Sequence, residues 1–243
     1  MPDGIVASEA KDNTNNNLVH SFLGPKFPAA SESSIMWFIL RCLEWTLAKL
    51  LYRRRGYDHD LFYKGLAFGK YPNPTFTVTS PDCGPTGAKL GVEYSQWGSG
   101  KVPQLTWPVS GIEVKEYLII SEDPDAPLGH SNVHGIYCFV PGNKTGFGPD
   151  DLELLGEDKN GLKQISSGYL VGKNRRNTVY IAPRPPLGHG PHRYFFEIVA
   201  LSQPLDPEKL SPVPTKQELS DMIIGKVCGW GLWTATFEQK WSM

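Results

Sequence analysis

Six side chains able to move a proton or hold an anion fall in two short stretches of the chain. Asp123 and Asp125 lie in SEDPDAP (121–127), with His130 and His134 following at HSNVH spacing; His189 and His192 come at HGPH spacing, directly before Arg193 and Tyr194. Carboxylates and imidazoles together can bind anions or act as general acids and bases, because histidine changes charge near neutral pH. Four histidines beside two aspartates also suggest a metal, but histidines at i and i+4 share one on a helix, and DPDAPLGHSNVHG is too rich in Pro and Gly to be helical. No metal is expected. No cofactor is expected either: the chain has no phosphate-binding P-loop, no GxGxxG opening a helix and no GxSxG elbow. Cys138 lies four residues after His134 on an apolar strand, on the same face by period two, where a packed core thiol is the expectation. Arg175-Arg176, in GKNRRNT, read as a solvated turn.

Such groups act only when rigid elements aim them. SEDPDAP leaves the apolar run YLII (117–120) with two prolines, which fix the bend and cannot donate to a ladder. In VYIAPRPPLGHGPHRYFFEIVAL (179–201), prolines and glycines join two strand-like runs. His192 and Tyr194 are two residues apart and share a face, while Arg193 points to the other, suited to an ion pair with an aspartate of DPDAP. Strand composition marks FTVTS (76–80), GVEYS (91–95), KEYLIIS (115–121), HGIYCFV (134–140), TVYIA (178–182), RYFFEIVAL (193–201) and LWTATFEQ (232–239). PTKQELSDMIIGK (214–226) reads as a helix, with Thr215 as N-cap and Glu218 three residues on. The result is a mainly β domain over 57–243 with peripheral helices.

Upstream, residues 1–33 are polar, with NTNNN at 13–17, and are expected to be a disordered or loosely packed extension. Residues 34–56 read as an added N-terminal amphipathic helix: Met36, Leu40, Leu43, Leu47 and Leu50 form one stripe, and Arg53-Arg54-Arg55-Gly56 closes it. A helix docked on its own domain is the first expectation; a homodimer interface through 35–52, or a membrane-surface helix, is the alternative. The 243 residues carry a formal net charge of −1 with 40% hydrophobic residues, which gives a substantial core and no basic field for nucleic acid. Four widely spaced cysteines form no CxxC pair and read as reduced thiols. With charges interrupting the only long apolar run and no signal sequence, a cytoplasmic protein is expected.

PQLTW (103–107), DPDAP (123–127), the strand from His134 to Pro141, PP (185–186) and GPHRYFF (190–196) occur in this order in the phosphatidylethanolamine-binding protein family, which this chain resembles over roughly 60–240. IAPRPPLGHGPHRYFFEIVAL is most similar to its fungal branch. The resemblance implies a β-sandwich of two antiparallel sheets with Greek-key connections. It also implies a small anion pocket formed by Asp123, His134, His192 and Tyr194, with Pro127 and Pro186 on its walls. The chain departs from the family pattern at Asn132-Val133, where an aromatic or second histidine is usual. It departs again at Arg184, a permanent charge near the mouth that could bind a carboxylate or pair with Glu122 or Asp125.

Two functions fit such a pocket. The first is binding of a small anionic or oxygen-rich ligand, a phosphate or a carboxylate, with regulation of a partner protein. The alternative is a cofactor-independent acid–base enzyme of secondary metabolism, an isomerase, dehydratase or cyclase. In that case Asp123 or His134 would be the base, His192 or Tyr194 the proton donor and Arg184 the stabiliser of an oxyanion.

Overall fold

A computed structural model describes residues 33–108, 113–159 and 161–241. The polar extension expected over 1–33 lies outside these residues, apart from Ser33. The chain is mainly strands: helix α1 (Ser33–Leu50); strands β1 (Phe76–Thr77), β2 (Ala88–Lys89), β3 (Leu105–Thr106), β4 (Glu116–Asp123), β5 (Asn132–Pro141), β6 (Gly146–Phe147), β7 (Leu154–Glu157), β8 (Lys163–Ile165), β9 (Leu170–Val171) and β10 (His192–Leu201); helix α2 (Lys216–Met222); and β11 (Val227–Phe237).

Seven strands form one sheet in the order β1-β11-β10-β4-β5-β9, with β2 also on β11. The long strands are antiparallel, and only β1 and β2 run parallel to β11. The two layers are therefore unequal: opposite the large sheet lie only the ribbon β3–β6 and loops, while β7–β8 forms a separate hairpin. Every residue of β4 is buried because the sheet is covered on both faces. Tyr117, Ile119, Phe196 and Ile198 pack with Trp107, Phe147 and Trp233 on one face; Leu118, Ile120, Val199 and Leu201 pack with Phe62, Leu219 and Trp230 on the other.

Two expected strands are something else. GVEYS forms a 3-10 turn, Val92–Tyr94, whose Tyr94 hydroxyl donates to Asp82 at 2.8 Å. TVYIA begins in a bend at Thr178–Val179 and makes one main-chain bond to the sheet, Ile181 N–H to the His134 carbonyl, and Pro183 ends any ladder after it. Both segments are rich in strand-forming residues because they are half-buried, which composition reports without reporting a pairing partner. The late helix forms as expected, shortened to Lys216–Met222, with Thr215 and Glu218 closing a capping box.

Helix α1 docks by an unexpected side. The stripe Met36, Leu40, Leu43, Leu47 and Leu50 faces solvent, each residue more than half exposed, and Ala48 is the residue it buries. Contact is made instead with the loop that precedes β10. Glu44 Oε1 accepts from Leu187 N–H at 3.2 Å. Trp45 lies against Gly188, where a Cβ would meet its ring at 2.5 Å and where φ is +76°. Periodicity located the helix, but the docking face was decided by the polar pair and the glycine.

Two charge clusters hold the strands, one half-exposed around buried Asp125 and one buried on the far face. Arg193 binds Asp58 through both terminal nitrogens at 2.8 Å, and Asp125 through Nε and Nη2 at 2.8 and 2.9 Å. On the far face Glu122 and Glu197 are fully buried; Lys216 binds Glu122, and Tyr63 N–H donates to Glu197 at 2.9 Å. Burial, and next the adjacent Glu122 carboxylate, push Glu197 well above the usual carboxylate range.

Candidate functional site

The end of the sheet where β4 finishes, β5 begins and β10 begins gathers Asp123, His134 and His192. Strict alternation would put His134 on the face of Ile136 and Cys138. It does not, because Ser121 pairs with Gly135 and Glu122 with Val133, leaving His134 as the extra residue of a β-bulge. The bulge turns His134 to the face of Asp123 and Tyr194, while Cys138 stays with Ile136 in the opposite core. The shared face expected from period two is thus corrected, and burial pushes the Cys138 thiol far above its ordinary value. It packs; it does not attack.

A chain of hydrogen bonds crosses the site. Asp123 Oδ1 accepts Asp125 N–H at 2.7 Å, and its Oδ2 lies 2.8 Å from His192 Nδ1 and 4.0 Å from His134 Nε2. His192 Nε2 is 2.8 Å from His189 Nδ1, and His189 Nε2 is 3.1 Å from the Leu51 carbonyl just beyond α1. Burial holds His189 below its ordinary value, so it is neutral at pH 7. The carbonyl can only accept, so the His189 proton is on Nε2 and Nδ1 is bare. His192 Nε2 must then carry a proton to make its bond. One further proton lies between His192 Nδ1 and Asp123 Oδ2. Asp123 therefore cannot act as a free base in this state.

His134 has the opposite character. Its Nδ1 faces the Ile181 carbonyl and must donate. Burial lowers its pKa despite the nearby Asp123, so Nε2 holds a lone pair, met by the Asn132 amide at 2.9 Å. Within 4.0 Å, then, stand a neutral imidazole able to take a proton and a pair holding one to give.

Around these groups is a cavity of about 140 Å³, lined among others by Gln96, Pro127, Asn132, Arg175, Arg184 and Pro186. Arg184 faces it. Neither carboxylate that could have closed it off is free: Glu122 binds Lys216, and Asp125 binds Arg193 and Arg55. Arg175 is exposed in a turn, as read from sequence, and is also a second wall residue. Burial, then the charges of Arg175 and Arg184, hold Arg176 below its usual value, as expected for clustered guanidiniums. Tyr194 is corrected in the other direction: it shares the face of His192, but two residues further along β10 it lies beneath His134, fully buried and off the cavity wall. Asn132, Arg175 and His189 went unassigned from sequence. HGPH spacing was the available signal for His189, whereas nothing local linked Leu51 to it.

The family model described as phosphatidylethanolamine-binding protein matches residues 80–238. The chain is 64% identical over 203 residues to "Phomoidride biosynthesis cluster protein B" of Fungal sp., covering 84% of this chain and 97% of that protein. It is 31% identical over 142 residues to a UPF0098 protein of Aquifex aeolicus, covering 58% of this chain and 76% of that one. Among solved structures, a phosphatidylethanolamine-binding protein homologue of Chlamydia trachomatis superposes with a TM-score of 0.56 at 24% identity, over 69% of this chain and 99% of that one. E. coli YbcL gives 0.55 at 23%, over 67% and 98%. These two likenesses bear on the fold.

Proposed function

The chain belongs to the phosphatidylethanolamine-binding protein family, and we propose that it is a cofactor-independent acid–base enzyme acting on a small organic acid in fungal secondary metabolism. The observation that carries this reading is the division of protons in the pocket: His134 Nε2 has a lone pair, and the Asp123–His192 pair holds a proton 4.0 Å away. A carbon acid placed between them would lose a C–H proton to His134. Its carbonyl oxygen would receive the proton of the pair and become an enol, with Arg184 balancing the charge that develops. Return of the first proton to a different carbon isomerises the substrate. Loss of a β-hydroxyl as water, with the proton held by His134, instead gives a dehydration, and attack of the enol carbon on an internal carbonyl, which takes that proton, gives a cyclisation; in each case the enol O–H proton returns to the Asp123–His192 pair. Asn132 would turn its amide from His134 to the substrate carbonyl, since catalytic contacts often form only once substrate is bound.

The relative named for a biosynthesis cluster supports catalysis over the alternative of a purely ligand-binding regulator. In deuterium oxide, the protein should accelerate exchange at the carbon next to the keto group of small 2-oxo and 3-oxo acids, and Asp123→Asn and His134→Gln should each abolish it. Acetate or phosphate binding without any exchange would restore the binding reading.

A further inference from the structure

The 140 Å³ cavity is the size for an acid head group and is below the roughly 300 Å³ at which sites for larger organic ligands begin, so any longer substrate continues beyond it. Two clefts adjoin. One, of about 550 Å³, shares Asn132 and Arg175 with the cavity and is lined by Lys64, Lys173 and Lys216. Two of those cations are engaged: Lys216 on Glu122, and Lys64 over the Tyr63 ring at 4.7 Å. The other cleft, of about 460 Å³, shares Arg184; its lining combines an apolar patch of Trp37, Leu40, Val92, Trp97 and Phe237 with the charged rim residues Arg41, Glu44, Glu238 and Lys240. Its floor is flat, with Trp97 stacked on Phe237 at 6.0 Å and 19°. The two spaces share Arg184 and border consecutive residues: Gln96 lines the cavity and Trp97 the cleft, and Gln96 is fixed by bonds to Pro183 and Ala182.

Resting on the acid–base reading above, we propose that the substrate is an amphiphilic carboxylic acid whose tail lies in this second cleft. The acid head occupies the cavity, and an alkyl or aryl tail runs over Trp97 and Phe237 beneath Trp37 and Leu40 of α1. Arg184 stands where head meets tail, its guanidinium 6.0 Å from the Trp97 ring, with no ion-pair partner among the described residues. A cation at that junction fits a carboxylate carrying an apolar chain. Trp37 and Leu40 lie before residue 80, outside the stretch the family model matches. The cleft gives α1 a role that its exposed stripe leaves unexplained.

The test is the affinity, by titration calorimetry on the full chain, of acetate, butanoate, hexanoate and octanoate. Affinity should rise about two- to threefold per methylene, somewhat under the gain for complete burial. Trp97→Ala should flatten that rise, whereas Arg184→Gln should weaken the whole series about tenfold and keep its slope. Affinity independent of chain length overturns the proposal, as does a rise that survives in Trp97→Ala. So does tighter binding of octanedioate than octanoate, which would place the far end on a cation, Arg41 or Lys240 of this cleft or a lysine of the other, and not on the apolar patch. Binding is read without turnover, so these outcomes are independent of the exchange assay: a length-dependent series with no carbon-acid exchange would keep the cleft and remove the catalytic reading.

Discussion

His192 Nε2 and His189 Nδ1 lie 2.8 Å apart, and that contact fixes how many protons the pocket holds. A lone histidine beside Asp123 could sit in either tautomer. A second histidine, itself committed to a main-chain carbonyl, leaves one arrangement. Leu51 supplies that carbonyl, so the residues following α1 take part in setting the chemistry of β10.

Removing His189 should therefore change protonation more than shape. His189→Ala frees His192 Nε2, and exchange activity should fall about tenfold with its acid and alkaline limbs displaced. His189→Gln can accept from His192 and donate to Leu51 with one amide, and should recover most of the rate. Nitrogen-15 chemical shifts of His192 report the tautomer directly; shifts identical in wild type and His189→Ala would refute the relay.

The pH profile should have its acid limb below the usual histidine value. His134 must be neutral to take a proton, and burial, only partly opposed by Asp123, depresses its pKa. Activity should be flat through neutrality and be lost as pH falls through the depressed value. Stability has the same sign: the unfolded chain binds a proton near pH 6.5 that folded His134 and His189 refuse, so both contributions are complete above 6.5 and decline below it. A limb at or above 6.5 would exclude His134 as base.

Arg193→Ala should destabilise the fold by about 3 kcal/mol by leaving Asp125 buried with only Arg55 nearby at 3.6 Å. Burial alone would raise the Asp125 carboxyl, but the hydrogen bonds and charge of Arg193 outweigh it and hold the group below its ordinary value. Its stabilisation is present above the unfolded value of 3.8 and lost as pH falls through the folded one. Urea denaturation at pH 7 and pH 3 should show the gap between wild type and Arg193→Ala narrowing in acid.

Much of this was legible in the residues. The family resemblance placed SEDPDAP and GPHRY at one pocket, and period-two alternation, a local rule, pointed to Arg193 as an ion-pair residue. Three things were not. The aim of His134 depends on a bulge defined by its pairing with β4, and a one-residue offset reverses every inference from alternation. Tyr194 obeyed alternation, but its depth along β10 placed it under the site. The docking face of α1 was misjudged because hydrophobic periodicity presumes that the apolar side turns inward, whereas Glu44 and the bare backbone of Gly188 decided the contact.

The carboxylates on the far side of the sheet give the last prediction. Glu197 is fully buried beside Glu122, its Oε1 has no hydrogen-bond partner, and its pKa is raised by burial and then by Glu122. Above pH 4.5 the unfolded chain releases this proton while the folded chain retains it, so the stabilisation that Glu197 gives in acid fades as pH rises through its folded value. Glu197→Gln keeps an acceptor for Tyr63 N–H and offers Glu122 a permanent donor. Thermal melts should show the variant more stable than wild type, with a difference that widens from pH 5 to pH 8. A difference constant with pH would mean that Glu197 is ionised in the fold, with Lys216 balancing both carboxylates.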